Sequence, residues 1–313
     1  GTYTIDPKTG EVSFTPEPQF KGKTSGIKVQ REDKNGTPAT ATYTPTVVPV
    51  TPTGEEKTTE GIQGATQKAT PNFTPGKTTV NGVEKTVEID TEKPAKFVDP
   101  ETGKPTDKTT IKVPNEGTYT IDPKSGEVTF TPTDKSYTGK VTPANVQAED
   151  TNGTKVSTTY TPSIIPAQPT AEPVKTVDVQ GATQTGKPVF QGGTAMVNGE
   201  EKTVEMDDTV PAKLVDPKTG AKVDSVTVDG EGTYTVAPYG TVTFTPNKDF
   251  TGQATGVTVK RVDKNGTPVT AKYTPTVLGK TTTENVVSEG AKGQPQSNTP
   301  VFKGDVDTTV APT

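Results

Sequence analysis

Apolar and polar residues alternate along this chain with a period of two. In TYTIDPKTGEVSF, Tyr3 and Ile5 alternate with Thr2 and Thr4, and Val12 and Phe14 alternate with Glu11 and Ser13. Successive side chains of a strand point to opposite faces, so each run predicts a half-buried strand, and two runs about a polar break predict a hairpin with one apolar face. The break, DPKTG, has the chemistry of a turn: Asp at the first position, Pro at the second, and Gly where φ is positive. A second hairpin is predicted in IKVQREDKNGTPATATY, turning at Asn35-Gly36, a pair that tolerates left-handed backbone at both positions. Equivalent pairs stand at 152–153 and 265–266, with others at 81–82 and 198–199. Short strands with a turn signal every ten residues or so predict an all-β protein of tandem, β-sandwich-like modules.

The pattern repeats. GTYT starts at Gly1, Gly117 and Gly232; QGATQ occurs at 63–67 and 180–184; VNGVEKTVEID at 80–90 becomes VNGEEKTVEMD at 197–207. AKFVDPETG at 95–103 becomes AKLVDPKTG at 212–220, and TYTPTVV at 42–48 becomes TYTPSII at 159–165 and KYTPTVL at 272–278. The period, about 115 residues, is too long for a solenoid repeat and suits an independent domain. The stretches VPVTPTGEEK and PAQPTAEP, rich in Pro, read as short, stiff connectors. The expected organisation is the C-terminal half of a repeat at 1–50, complete repeats at 57–166 and 174–278, and the start of a further one at 279–313. In that last segment EGAKGQPQSNTPVFKGD is a loose counterpart of EGIQGATQKATPNFTPGK. A half-module cannot bury its own apolar face, so both ends are expected to be the least ordered regions unless each pairs with another copy.

Composition narrows the chemistry. The 313 residues include 65 Thr and 37 Val but only two Leu, Leu214 and Leu278, and Gly and Pro contribute 31 and 30. Leu favours helices whereas Val and Thr fit a pleated surface, and Pro throughout the chain disfavours long helices. Val, Ile, Leu and Phe together make about 18% of the chain, which leaves each module a small core and admits local disorder. The net charge is only −5, which argues against disorder throughout. There is no His and no Cys, which removes Ser-His and Cys-His nucleophiles, thiol redox chemistry, disulfide bracing and the usual zinc, copper and haem ligands. Mild acidity, pI near 5.1, disfavours nucleic acid and anionic membrane as partners. No apolar run has spanning length, and neither a signal peptide nor a sorting tail is evident, as expected of an internal or trimmed piece.

Each candidate site weighs as scaffold. Asp6 and Lys8 recur as Asp122 and Lys124, but the third copy reads Ala237-Pro238-Tyr239-Gly240. It drops acid and cation and keeps Pro and Gly, the residues with backbone roles, so a turn is expected and a carboxylate–lysine site is not. Asp33, Asp150 and Asp263, each followed by Asn-Gly, echo the start of a calcium loop, yet the later acidic ligand is missing and three or four oxygens do not satisfy an ion that wants six to eight. The same turns match an N-glycosylation sequon, which a hairpin turn followed by Thr produces anyway. An intramolecular Lys–Asn isopeptide bond needs a buried Lys, and burial is not written in the sequence. Tyr3, Tyr119 and Tyr234, with Phe14, Phe130 and Phe244, fall on the apolar side of a hairpin, as core residues do. Phe20, Tyr137 and Phe250, two residues before a Gly, are expected to plug the sandwich end.

The linked order GTYT, DP-x-TG, V-x-FTP and YTP, with QGATQ, TPNFTPG and AKFVDPETGKP before it, closely resembles the CshA-type fibril repeat of Gram-positive cell-surface adhesins. The linked order is specific where no single element is, and the resemblance covers nearly the whole chain. It implies a stalk in which tandem repeats hold a separate adhesive region away from a wall-anchored C-terminus, extracellular and at the cell surface. It implies no catalytic, cofactor-binding or metal residues. The expected partners are neighbouring repeats of the same chain, and each body adds something like ~35–40 Å of reach. The rival reading is that the repeats themselves bind host or partner-cell ligands weakly and gain avidity by number. An enzyme would need paired acids kept at one position in both complete repeats, in a cleft that small sandwiches rarely provide.

Overall fold

The computed structural model describes residues 1–304, 309 and 311. The last predicted segment, 279–313, therefore runs into residues 305–308, 310, 312 and 313, which lie outside the described ones. Every regular element among the described residues is a β-strand. The chain divides into two compact units, Gly1–Ile165 and Pro166–Thr313.

The first unit contains one complete β-sandwich. Its larger sheet runs Lys96–Phe97, Ala144–Glu149, Lys155–Ile165 and Gly139–Lys140, with Lys57–Ile62 added to the long strand Lys155–Ile165. Ser163 and Ile164 pair with Lys140 and Gly139 on one edge and with Glu60 and Gly61 on the other. The facing sheet has the order Thr110–Val113, Gly117–Ile121, Val128–Pro132 and Gln67–Ala69. Period-two alternation decides what lies between them. Gly117–Ile121 and Val128–Pro132 turn Tyr119, Ile121, Val128 and Phe130 inward, to meet Phe97, Val146, Tyr160 and Ile164. A two-residue hairpin, Gly76–Val80 with Val83–Val87, stands beside the sandwich.

The second unit repeats this plan. Val174–Val179 adds in parallel to Pro268–Leu278, which also pairs Val257–Val262 and Gly252–Gln253, with Lys213–Val215 and Lys222–Val223 beyond. The facing sheet is Gln184–Gly186, Val242–Pro246, Gly232–Val236 and Ser225–Val228. Its core is Leu214, Val226, Tyr234, Val242, Phe244, Val259, Tyr273 and Val277. The thin apolar content is thus concentrated on two inner faces, which is how so few large side chains sustain a fold.

The first strands of the chain form only part of that plan. Thr2–Ile5 pairs with Val12–Thr15, Ile27–Glu32 with Pro38–Tyr43, and Gly22–Lys23 with Thr46–Val47. Val29 corresponds to Val146 and Val259, which lie beside Phe97 and Leu214 in the complete sandwiches. Among the described residues no strand brings such a side chain to Val29. Ile5 stays 51% exposed and Tyr43 40%, whereas their counterparts Ile121 and Tyr160 are buried.

Between Val47 and Lys57, Thr53–Glu55 pairs with Asn72–Thr74; Thr170–Glu172 pairs with Val189–Gln191 in the same way. Val50 and Thr51 lie over Gly76, and Ala167 and Gln168 over Gly193, where a Cβ would collide with them. The Pro-rich stretches are seated on the hairpin base by glycines that leave them room.

Candidate functional site

Both sandwiches close at the parallel pairing of their N-terminal and C-terminal strands. Tyr160 lies opposite Lys57 and Ile165 opposite Ile62; Val174–Val179 runs beside Tyr273–Leu278 in the same register. The next residues, QGATQ, carry the chain from one sheet to the other. Gln63 N–H extends the ladder to Ile165 C=O at 2.9 Å, and Ala65 N–H closes a turn on Ile62 C=O with Gly64 at φ +80°. That φ is cheap only for Gly. The turn delivers Gln67 to the interior, at 5% exposure.

A buried amide is costly unless its donors and acceptor are engaged. Gln67 Oε1 accepts from Thr59 Oγ1 at 2.6 Å, and Gln67 Nε2 donates to Ser163 C=O at 3.1 Å. Tyr160 Oη shares a hydrogen bond of 2.9 Å with Thr59 Oγ1. The second sandwich repeats all three: Thr176 to Gln184 at 2.5 Å, Gln184 to Thr276 C=O at 2.9 Å, and Thr176 with Tyr273 at 2.9 Å. The Thr–Gln–Tyr trio ties first strand, last strand and facing sheet together. Burial pushes the Tyr160 and Tyr273 phenols above their usual range, with the Thr hydroxyl partly offsetting it, so both remain neutral partners.

The GTYT tyrosine packs against the same point. Tyr119 meets Tyr160 edge-on with ring centroids 6.0 Å apart, and Tyr234 meets Tyr273 at 6.2 Å. Tyr119 Oη donates to Thr142 C=O at 2.7 Å. Thr142 is held again by Glu116, whose carboxylate accepts from its N–H at 2.7 Å and its Oγ1 at 2.9 Å. Glu231 holds Thr255 through the same two groups.

Asp6 and Asp122 do not form a site with Lys8 and Lys124. Asp6 Oδ1 accepts backbone N–H groups of Lys8 and Thr9, and Gly10 N–H returns to Asp6 C=O at 2.7 Å with Gly10 at φ +76°. Asp122, Asp99 and Asp216 cap the same D-P-x-[ST]-G turn. In the shortened third copy Gly240 N–H closes on Ala237 C=O, three residues back rather than four, and no carboxylate is needed. Backbone donors hold Asp6, Asp99, Asp122 and Asp216 below the usual carboxylate range. A folded-state value below the unfolded one stabilises the fold above the ordinary carboxylate pKa and loses that stabilisation as pH falls through the folded value. Carboxyl NMR titration should find these four midpoints below the ordinary 3.8 of Asp, and Asp122→Asn, which keeps an acceptor, should flatten the acid limb of the melting curve more than it lowers the neutral-pH midpoint. Midpoints at the ordinary value would remove the cap.

The D-x-N-G segments differ from expectation in backbone. Asp33 Oδ1 accepts from Asn35 and Thr37 N–H at 2.8 Å each, and only the glycine, Gly36, is left-handed. The loops are five residues long, because Glu32 pairs with Pro38 and Glu149 with Lys155. The aspartate side chain acts as a strut across the longer loop, so Asn35, Asn152 and Asn265 need no left-handed backbone. Asn81 and Asn198 do adopt it, at φ 52° and 51°, in two-residue hairpins. Asp150 and Asp263 brace their loops in the same way from buried positions. Each of these aspartates commits one carboxylate oxygen, Oδ1, to backbone donors, and no group of three or more acidic side chains is placed to hold a metal among the described residues.

No lysine is buried among the described residues, so none meets the requirement for an internal isopeptide bond. Tyr119, Phe130, Tyr234 and Phe244 are fully buried core residues, and Tyr3 and Phe14 are half-buried. Tyr137 and Phe250 pack against the edges of the two cores. QGATQ stands out in the sequence as a landmark, but the role of its last residue does not, nor do those of Thr59, Thr176, Glu116 and Glu231. Their signal was positional: Glu precedes both internal GTYT copies, and Thr stands eight residues before each Gln.

No curated protein matches the chain significantly. Among solved structures it is similar to extracellular cadherin domains 1–4 of protocadherin gamma B7, at 10% identity and a TM-score of 0.31, over 96% of this chain and 72% of that one. It is also similar to Drosophila N-cadherin EC1-4, at 12% identity and a TM-score of 0.27, over 89% of this chain and 63% of that one, less than two thirds of its length. No described helix is long and apolar enough to cross a membrane. The surface adhesin CshA repetitive domain matches residues 1–47, 49–164 and 166–277; all three copies carry GTYT and YTP, and the second and third carry QGATQ. The chain belongs to that family of surface-adhesin repeats.

Proposed function

We propose that this chain is a stalk segment of a cell-surface adhesive fibril, whose repeats transmit tension between an adhesive region and a wall anchor carried elsewhere. The repeats are taken as 57–166 and 174–278, with a C-terminal half at 1–50 and a further start at 279–313. One observation carries the reading: the parallel pairing of first and last strands in both sandwiches. Tension enters a repeat at the N-terminal end of Lys57–Ile62 and leaves at the C-terminal end of Lys155–Ile165. Two parallel strands pulled from opposite ends slide past each other, so their hydrogen bonds are strained together rather than one at a time. The Thr59–Tyr160 and Gln67–Ser163 bonds cross that same boundary. Thr-rich, mildly acidic surfaces suit such an array because they keep neighbouring fibrils soluble.

Single-molecule stretching of the chain should show two separate unfolding events of similar force. Each should release roughly 350 Å of chain, from about 110 residues at ~3.6 Å less the folded length. Tyr160→Phe should lower the force of one event and leave the other. A smooth extension without steps would rule out the stalk reading.

A further inference from the structure

Asn-Gly occurs five times in the chain, and the structure sorts the five pairs into two classes. Three sit in the five-residue loops braced by aspartate, where the N–H groups of both residues are engaged. Asn152 N–H donates to Asp150 Oδ1 at 2.9 Å and Gly153 N–H to Asp150 C=O at 2.8 Å. Asn265 and Gly266 bond Asp263 at the same two distances, and Asn35 and Gly36 bond Asp33 at 2.8 and 3.0 Å. Thr154 and Thr267 N–H, each 2.8 Å from the same aspartate Oδ1, pin the far side of the loop.

The pairs at 81–82 and 198–199 are held differently. Val80 pairs with Val83 and Val197 with Glu200, so each Asn-Gly makes up the whole turn and lies outside the ladder. Among the described residues no acceptor bonds the N–H of Gly82 or Gly199, and the side-chain amides of Asn81 and Asn198 have no hydrogen-bond partner. All four residues are exposed. Exposure does not distinguish the classes, because Asn35 and Gly36 are exposed too. The glycine N–H does: engaged in one class, free in the other.

That nitrogen is the nucleophile in the self-modification of asparagine, and a following glycine leaves it least obstructed because it carries no Cβ. We propose that Asn81 and Asn198 are sites of spontaneous deamidation, one in each complete repeat, and that the aspartate struts protect the other three. The Gly82 nitrogen gives its proton to water or hydroxide and bonds Asn81 Cγ. The bond from Cγ to the amide nitrogen breaks, and ammonia leaves with a proton. Water then opens the resulting five-membered imide at either carbonyl, giving aspartate or isoaspartate. In the braced loops the same step must first break the Gly153 bond to Asp150 C=O and turn Asn152 away from Asp150 Oδ1. In the hairpins it disturbs at most the closing pair of the ladder. The product adds a carboxylate at the hairpin tip, and isoaspartate also lengthens the main chain there by one methylene. Neither core cluster includes a residue of the two turns, so a repeat changes chemically without losing its fold.

Peptide mapping by mass spectrometry tests this on the full chain held folded at mildly alkaline pH, with the same chain in concentrated urea as the reference. In urea all five pairs should convert at similar rates. In the folded chain Asn81 and Asn198 should convert roughly tenfold or more faster than Asn152 and Asn265, the factor expected when a hydrogen bond must open first. Isoaspartate should appear with aspartate, because the imide opens both ways. Comparable rates at the four pairs in the folded chain overturn the proposal. So does a folded chain in which Asn81 or Asn198 stays intact while urea converts it, or a product that is aspartate alone.

Discussion

Tyr160→Ala is expected to unfold the first sandwich at a temperature at which the second is still folded. Tyr160 is fully buried, packs edge-on against Tyr119 and bonds Thr59. Removing a buried aromatic ring costs roughly 3–5 kcal/mol, through lost transfer energy and the cavity left behind. A domain of this size has only about 5–15 kcal/mol to lose. Two further losses fall on the same point: Thr59 loses one of its two partners, and Tyr119 loses its neighbour. Tyr160→Phe separates the contributions, because it keeps the ring and removes only the hydrogen bond, at about 1 kcal/mol. Scanning calorimetry should show two transitions in the wild-type chain. The Ala variant should move one of them down by about 15 °C and the Phe variant by a few degrees, at about 4 °C per kcal/mol for this size. The second sandwich, with its own Tyr273, serves as the internal reference. A shift of both transitions, or of neither, would contradict separate cores closed by separate tyrosines.

Gly117→Val is the second large effect. Gly117 has no unusual need for φ, yet a Cβ there would lie 2.5 Å from Phe130 Cζ and 2.5 Å from Thr131 C=O. Phe130 lays its ring over the backbone of the neighbouring strand, and only hydrogen fits beneath it. Gly1 stands under Phe14 in the same way. Phe130 is fully buried and has nowhere to move, so the added side chain must open the sheet or expel the ring. Overpacking of this kind costs about 1–3 kcal/mol and sometimes more. We expect a value near the top of that range, a fall of about 10 °C in the first transition, and loss of amide protection along Gly117–Ile121 and Val128–Pro132. Phe130→Leu in the valine background should recover part of the loss, since it removes the ring that collides. If Gly117→Val melts like wild type, the glycine is kept for another reason.

The hairpins were legible because their information is local. Tyr119 and Ile121 alternate with Thr118 and Thr120, and Asp122 with Gly126 supplies a turn that needs no distant partner. The shortened third copy could be read correctly as well, since Pro and Gly act on their own backbone. The D-x-N-G loops were misread in detail because Asn-Gly fits two turn geometries. The choice fell to an aspartate two residues earlier, whose carboxylate spans the five-residue loop. Thr59, Gln67 and Tyr160 could not be assembled from sequence: Thr and Gln read as ordinary polar positions, and their partner lies about 100 residues away.

The strands, the turns, the repeat and the lack of His and Cys were all readable along the chain, because periodicity, proline and glycine geometry and residue identity act within a few residues. That first and last strands run parallel, and that a buried glutamine joins them to the opposite sheet, came from the tertiary structure. It alone showed that the glycine of GTYT makes room for a ring. Strand neighbours far apart in the chain are chosen by which edges and faces complement one another once the sheets meet, and no local pattern records that choice.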